Sequence, residues 1–360
     1  MTPLAERLIA TIRASGPIAV ADYMAACLGD PEHGYYANRP AFGAEGDFIT
    51  APEVSQMFGE LIGVWCIAAW EAMGAPDRFT LVELGPGRGT LMTDLLRAAH
   101  IRPNFRLAAD IHLVETSPLL RDMQARALRT VRATPAWHDR LADVPDDAPL
   151  ILIANEFFDA LPVHQYVRTA EGWAERMVGL DPAGKLAFGL MPIGMPRGLP
   201  DAHRHAPVDA VWESSPAREA IAAEIGERIA ARGGAALVID YGYKGPALGD
   251  TLQAVRNHAF DPPLAHPGEA DITAHVDFAA LAAAAGPGAK AKPLLTQGGF
   301  LRALGLTARA ERLSAGKNET KQAEIAAAVA RLSAPDAMGT LFKVLCLTAP
   351  DLSLAPFDSA

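Results

Sequence analysis

Cysteine is scarce in this sequence. Cys27, Cys66 and Cys346 are the only three in 360 residues, far apart and each in apolar surroundings. Their spacing makes neither a metal cluster nor a disulfide framework, so no metal site is expected and a reducing compartment is. No run approaches the roughly 20 apolar residues of a bilayer crossing, so no membrane span is expected. The start of the chain lacks the basic, apolar and small-residue order of a signal peptide, which points to a cytoplasmic, bacterial protein. Basic clusters are missing too: the formal net charge is −10 with Lys and Arg scattered, leaving no electrostatic footprint for a nucleic-acid partner. Internal repeats are absent. Apolar residues are plentiful, 50% of the chain, enough for a large core or two domains.

The most informative stretch is Glu83-Leu84-Gly85-Pro86-Gly87-Arg88-Gly89. Thr80 to Leu84 before it is strand-like, and Thr90, Leu91, Met92, Leu95 and Leu96 after it recur at helical spacing. The three glycines let the backbone turn sharply against a ligand, and the free N–H groups of a helix start favour a negative or polar group. A nucleotide-like cofactor suits that crevice. The dinucleotide pattern is G-x-G-x-x-G, whereas Gly85, Gly87 and Gly89 alternate. This spacing resembles the motif of class I S-adenosylmethionine methyltransferases, whose loop packs against an amino acid and a ribose; a dinucleotide-binding variant or a plain strand-to-helix turn stays open on the motif alone. Asp110 to Val114 is a second strand closing on Glu115, about 30 residues after the first acid. A carboxylate there accepts two hydrogen bonds from a ribose diol in either cofactor class. The bland alternative is a strand-end charge before the helix cap Ser117-Pro118.

Elsewhere, Leu4 to Ile12 reads as a helix with Ala5, Leu8, Ile9 and Ile12 on one face. The loop from Gly34 to Glu53, with Asp47 and Thr50, is too apolar for a linker and reads as a lid over a site. Ser55 to Trp70 is a core helix with Phe58, Leu61, Ile62, Trp65 and Cys66 in its stripe. Leu119 to Leu128 is another helix, and a short strand near Val131 leads to Trp137-His138-Asp139, where Trp137 either faces an adenine ring or packs on the sheet edge. Leu150 to Ala154 is a continuous apolar run, as a parallel strand covered on both faces should be. It ends in Asn155-Glu156-Phe157-Phe158-Asp159. Methyl transfer to a guanidinium requires carboxylates that hold and aim one nitrogen; Glu156 and Asp159 are candidates for that clamp, with Asn155 orienting it, while Asp159 also suits a turn cap. From Val163 to Gly198 short polar-apolar runs separated by Glu171-Gly172 and Pro182-Ala183-Gly184 predict an antiparallel meander, followed by a surface loop to Asp209. Asp240 and Tyr241 end a fifth strand and face the substrate; His275 is a third substrate candidate, though a cap or core position before Asp277 suits it as well. Helices are expected around 276–285, 298–304 and 321–332. Leu341 to Thr348 is an antiparallel edge strand finishing the sheet.

Four segments in order, Gly46 to Glu53, Glu83 to Thr90, Asn155 to Pro162 and Met338 to Val344, resemble the MidA family nearly end to end. These are S-adenosylmethionine-dependent methyltransferases whose mitochondrial members act in respiratory complex I assembly by dimethylating an arginine on a complex I subunit. The resemblance implies an α/β fold with the class I methyltransferase Rossmann-like sheet, helices on both faces, and a smaller lobe from the N-terminal helices and the inserted β meander. The domains are expected as 1–75, helical with the lid-like loop, and 76–350, catalytic, interrupted at about 163–210. It implies S-adenosyl-L-methionine as cofactor, a protein substrate such as a complex I subunit, and a homodimer as candidate assembly. On that reading Gly85, Pro86, Gly87 and Gly89 shape the cofactor pocket, Glu83 faces the cofactor's amino group, Glu115 holds ribose, and Asp47, Thr50 and Trp137 line the pocket. The chain departs from ordinary arginine methyltransferases in lacking their double-Glu loop, so the role of Glu156 rests on position. Two other functions stay open: methylation of a small molecule or another atom, and a noncatalytic assembly factor that binds the cofactor for stability.

Overall fold

The computed structural model describes residues 1–38 and 50–358. They form two compact units, each assembled from segments distant in sequence: residues 50–158, 221–244 and 278–358 in one, residues 1–38, 159–220 and 245–277 in the other.

The larger unit is built on a sheet of β1 (Phe79–Leu84), β2 (Ala109–Val114), β3 (Ala136–His138), β4 (Leu150–Asn155), β5 (Gly234–Tyr243) and β6 (Phe342–Thr348). Their order is 3-2-1-4-5-6. The first five are parallel and β6 runs antiparallel to β5. Every residue of β1 and β4 is buried, which is why their apolar runs are continuous rather than alternating. Pairing from Thr80↔Leu150 to Leu84↔Ala154 brings the carboxyl ends of β1 and β4 level. The strand order reverses between these two, and an open α/β sheet parts its connections there to leave a crevice.

Helix α1 (Gln56–Ala72) opens with the Ser55 hydroxyl accepting from the Met57 N–H. Its Phe58, Leu61, Ile62 and Trp65 share one core with Leu91 and Leu95 of α2 (Thr90–Ala98) and with Leu81, Ile151, Leu237 and Ile239 of the sheet. Gly63 permits the close packing of the two helices, since a Cβ there would lie 2.8 Å from the Leu95 carbonyl oxygen. The next helix, α3 (Pro118–Arg129), starts at the Ser117 cap with proline in its first turn, as the sequence predicts. From Ile221 onward α4 (Pro216–Arg232) belongs to this unit, and α5 (Phe278–Ala284) begins two residues later than expected.

Three further expectations are corrected. The segment at Val131 is a turn, in which Val131 and Arg132 donate to the Leu128 and Arg129 carbonyls; the strand lies at 136–138 and is too short to display a period-2 signal. Leu306–Ser314 forms a helix in addition to the three expected in the carboxyl third. The last strand is not the edge, because Lys290–Ala291 and Leu295–Thr296 pair on it as well as β5.

The other unit contains the expected meander. His164–Thr169, Gly172–Leu180 and Leu186–Ile193 pair in succession as antiparallel strands, with Val211–Ser214 beside the first and Ile18–Ala19 beside the second. Helices Pro3–Ser15 and Val20–Gly29 bury Leu8, Ile12, Tyr23 and Met24 against Val178 and Ile272. Among the described residues no helix is long and apolar enough to cross a membrane.

Candidate cofactor and substrate site

Five strand ends converge in the larger unit. After β1 the backbone enters the left-handed region at Gly85 (φ 60°), Gly87 (φ 52°) and Gly89 (φ 80°), a path that strains any residue with a Cβ. Two of these positions are also crowded: a Cβ on Gly85 would lie 2.9 Å from Phe157 Cδ2, and one on Gly89 3.2 Å from Gln124 Cα. Pro86 closes the turn through its carbonyl, which accepts from the Gly89 N–H. The glycine loop is thus clamped between the segment after β4 and α3.

Glu83, on β1, is 3% exposed. Burial pushes its carboxyl up to about 8, opposed by the Met92 backbone N–H. Its Oε2 is enclosed and has no hydrogen-bond partner among the described residues. A buried carboxyl oxygen left in this state is poorly satisfied by the protein alone and suits a cationic donor.

Glu115 follows β2. Its Oε1 accepts from the Ser117 N–H at 2.9 Å and its Oε2 from Gln124 Nε2 at 3.3 Å, while burial raises its pKa. Arg121 donates to the Glu115 backbone carbonyl and, through Nη2, to Asp139 Oδ1 at 2.6 Å. The cap reading and the ribose reading of Glu115 are therefore compatible, because each carboxylate oxygen has two lone pairs and one protein donor shown. Trp137 lies within β3, opposite Leu113, and its indole Nε1 donates to Gln124 Oε1 at 2.8 Å.

Gln124 is the residue sequence reasoning missed. It is fully buried on α3, and its Nε2 also donates to the Gly87 carbonyl at 2.7 Å. The signal was present: the buried positions of α3 are Leu120, Gln124 and Leu128, so an amide stands on the apolar stripe where leucine would be expected. Glu53 was also passed over. Its Oε1 accepts from Thr90 Oγ at 2.6 Å and its Oε2 stands 3.9 Å from Arg88, tying the short helix Ala51–Val54 to the loop. Thr50 caps that helix in position, without a side-chain hydrogen bond. Asp47 lies outside the described residues, as does most of the lid-like loop.

After β4, Glu156 holds a left-handed backbone at φ 49°. Its Oε1 accepts from the Ala51 N–H at 3.0 Å and from Asn155 Nδ2 at 3.2 Å. Asp240, fully buried on β5, accepts from the Phe158 N–H at 3.0 Å and from the Tyr241 N–H at 2.9 Å; it fastens the Glu156–Phe158 turn. Tyr241 is buried with its ring edge-on to Phe342. The remaining two candidates belong to the other unit. The Asp159 carbonyl accepts from Arg218 Nη2 and from the Ala274 N–H, and His275 donates its backbone N–H to Thr251 Oγ while its carbonyl accepts from Arg218 Nη1 at 2.7 Å. In that unit Tyr36 donates to Asp271, and burial raises its phenol pKa.

The residues fit an aminoacyl-nucleoside: an enclosed acid for an ammonium, a second acid for a diol, and a glycine loop between them. Comparison with known proteins agrees. A family model described as "Putative S-adenosyl-L-methionine-dependent methyltransferase" matches residues 61–295. The Drosophila melanogaster protein arginine methyltransferase NDUFAF7 homolog, mitochondrial, is 39% identical over 374 residues, 96% of this chain and 84% of that one. The human protein arginine methyltransferase NDUFAF7, mitochondrial, is 38% identical over 372 residues, 96% of this chain and 83% of that one. A crystal structure of a protein from Burkholderia thailandensis bound to S-adenosylhomocysteine superposes with a TM-score of 0.82 at 30% identity, covering 96% of this chain and 91% of that one. The expectation of a cytoplasmic protein is corrected by the curated arginine methyltransferase relatives, whose names place them in mitochondria. An address is read by receptors and is separable from the residues that make a core or a pocket.

Proposed function

Because this chain belongs to the MidA family of S-adenosylmethionine-dependent methyltransferases, we propose that it methylates arginine on a protein, a subunit of respiratory complex I or a related assembly client. The relatives' names as protein arginine methyltransferases support the acceptor class. S-adenosylmethionine, when bound, supplies an electrophilic sulfonium methyl. Glu83 receives its ammonium and Glu115 its ribose hydroxyls; Gly85, Pro86, Gly87 and Gly89 keep side chains out of its way, Trp137 stands on the adenine side, and Thr50 borders the pocket.

The observation that carries the acceptor reading is Glu156. A glutamate in the left-handed region is strained, and such strain concentrates where a side chain must be aimed for function. With Oε1 held by Ala51 and Asn155, the carboxylate is fixed to grip a guanidinium and present one nitrogen to the methyl group. A homodimeric assembly extends the same proposal.

The test is transfer of labelled methyl groups from S-adenosylmethionine into protein of an extract prepared without this gene, followed by hydrolysis. Label recovered in methylarginine supports the reading; label in another amino acid, or only in small molecules, overturns it. Glu156→Gln is expected to lower kcat by about 100-fold, the scale of a misplaced reacting group, with S-adenosylhomocysteine affinity within about threefold.

A further inference from the structure

We propose that Gln124 is a positioning residue for the cofactor, one that sets the ribose specificity of the site by locking Glu115, Gly87 and Trp137 into a single arrangement. This rests on the reading of Glu115 as the ribose acid. An indole N–H only donates, so Trp137 Nε1 at 2.8 Å fixes which end of the Gln124 amide is oxygen. The two hydrogens of Nε2 are then committed, one to the Gly87 carbonyl at 2.7 Å and one to Glu115 Oε2 at 3.3 Å. All the donors and the carbonyl oxygen of a fully buried amide are in use, with no alternative orientation that satisfies the same partners. Gly89 completes the contact, because the closest atoms to a Cβ there are the Cα, Cγ and Cβ of Gln124.

One side chain therefore joins the glycine loop, the acid after β2 and the aromatic ring of β3. Glu115 is held at one oxygen by Ser117 and at the other by Gln124, which sets the carboxylate plane that a diol must meet. Removing the amide takes from the half-buried Gly87 carbonyl and Trp137 N–H the partner each has in Gln124 and lets the carboxylate rotate. The loss should fall on recognition of ribose rather than on the chemical step.

The experiment measures Kd of the full chain and of Gln124→Leu for S-adenosylhomocysteine and for its 2′-deoxy analogue by calorimetry, a cycle that isolates coupling between side chain and hydroxyl. The wild type should prefer the ribose form. In Gln124→Leu the ribose form should weaken about tenfold, the scale of one lost hydrogen bond to a charged group, and the deoxy form less than about threefold. Equal weakening of both ligands overturns the proposal and leaves Gln124 a packing residue. A wild type that binds both ligands alike overturns instead the ribose reading of Glu115, so the two failures are told apart. Should Gln124→Leu not fold, Gln124→Glu serves. Only its protonated carboxyl can donate to Gly87 or Glu115, so its affinity relative to wild type should improve as pH falls from about 8 to about 6; a flat ratio overturns the proposal.

Discussion

At the scale of the residue, Glu83 makes the sharpest prediction. Burial raises its carboxyl from 4.5 to about 8, so near neutrality it is largely protonated until a cation arrives. Docking of the cofactor's ammonium favours the ionised form, and binding should release about one proton at neutral pH. Calorimetry in buffers of different ionisation enthalpy would count it, and affinity should tighten as pH rises toward 8. No proton release would remove Glu83 from the ammonium site. Stability has the opposite sign: between pH 4.5 and about 8 the folded state holds a proton the unfolded chain has lost, so the free protein should weaken as pH climbs through that window. Glu83→Gln should flatten both dependences.

At the scale of the element, α4 shows how glycine serves packing rather than turning. A Cβ on Gly226 would lie 1.9 Å from the Ala285 carbonyl oxygen just after α5, and one on Gly288 would lie 2.4 Å from the Ala230 Cβ one helical turn further along. Helix propensity alone would reward Gly226→Ala by up to about 1 kcal/mol. Overpacking against backbone outweighs that gain, and the variant should be about 2 kcal/mol less stable in thermal unfolding. An unchanged or higher Tm would show that α5 moves away freely. Further along α4, Arg228 donates to the Leu141 and Val144 carbonyls, ligatures that no period in the sequence announces.

At the scale of the whole molecule, charge enters. The chain carries a formal net charge of −10, and an arginine-bearing acceptor is attracted to it over distances that salt screens. Raising ionic strength from about 0.05 to about 0.3 M should lower kcat/KM for a basic protein acceptor several-fold. Cofactor affinity should stay within about twofold, because Glu83, the acid proposed to receive its ammonium, is buried. Equal loss of both would place the effect on the fold. What the chain spells out locally is what depends on neighbours in sequence: the buried runs of β1 and β4, the stripe of α1, the Ser117-Pro118 cap and the alternating glycines each follow from period, cap chemistry or the need for positive φ. The meander was legible for the same reason, through its turn residues. Other features arise only when distant segments meet. The left-handed backbone of Glu156 has no local signal, and its carboxyl is held by Ala51, 105 residues away. The Asp240 carboxylate, expected near the substrate from its position on β5, also holds the Phe158 backbone, 82 residues away. Gln124 stands out in the sequence only as an amide on the apolar stripe of α3; that it binds Gly87, Glu115 and Trp137 is decided when α3 lays it over them. A hydrogen bond between remote groups depends on where folding delivers them, and one-dimensional periodicity carries no record of that meeting.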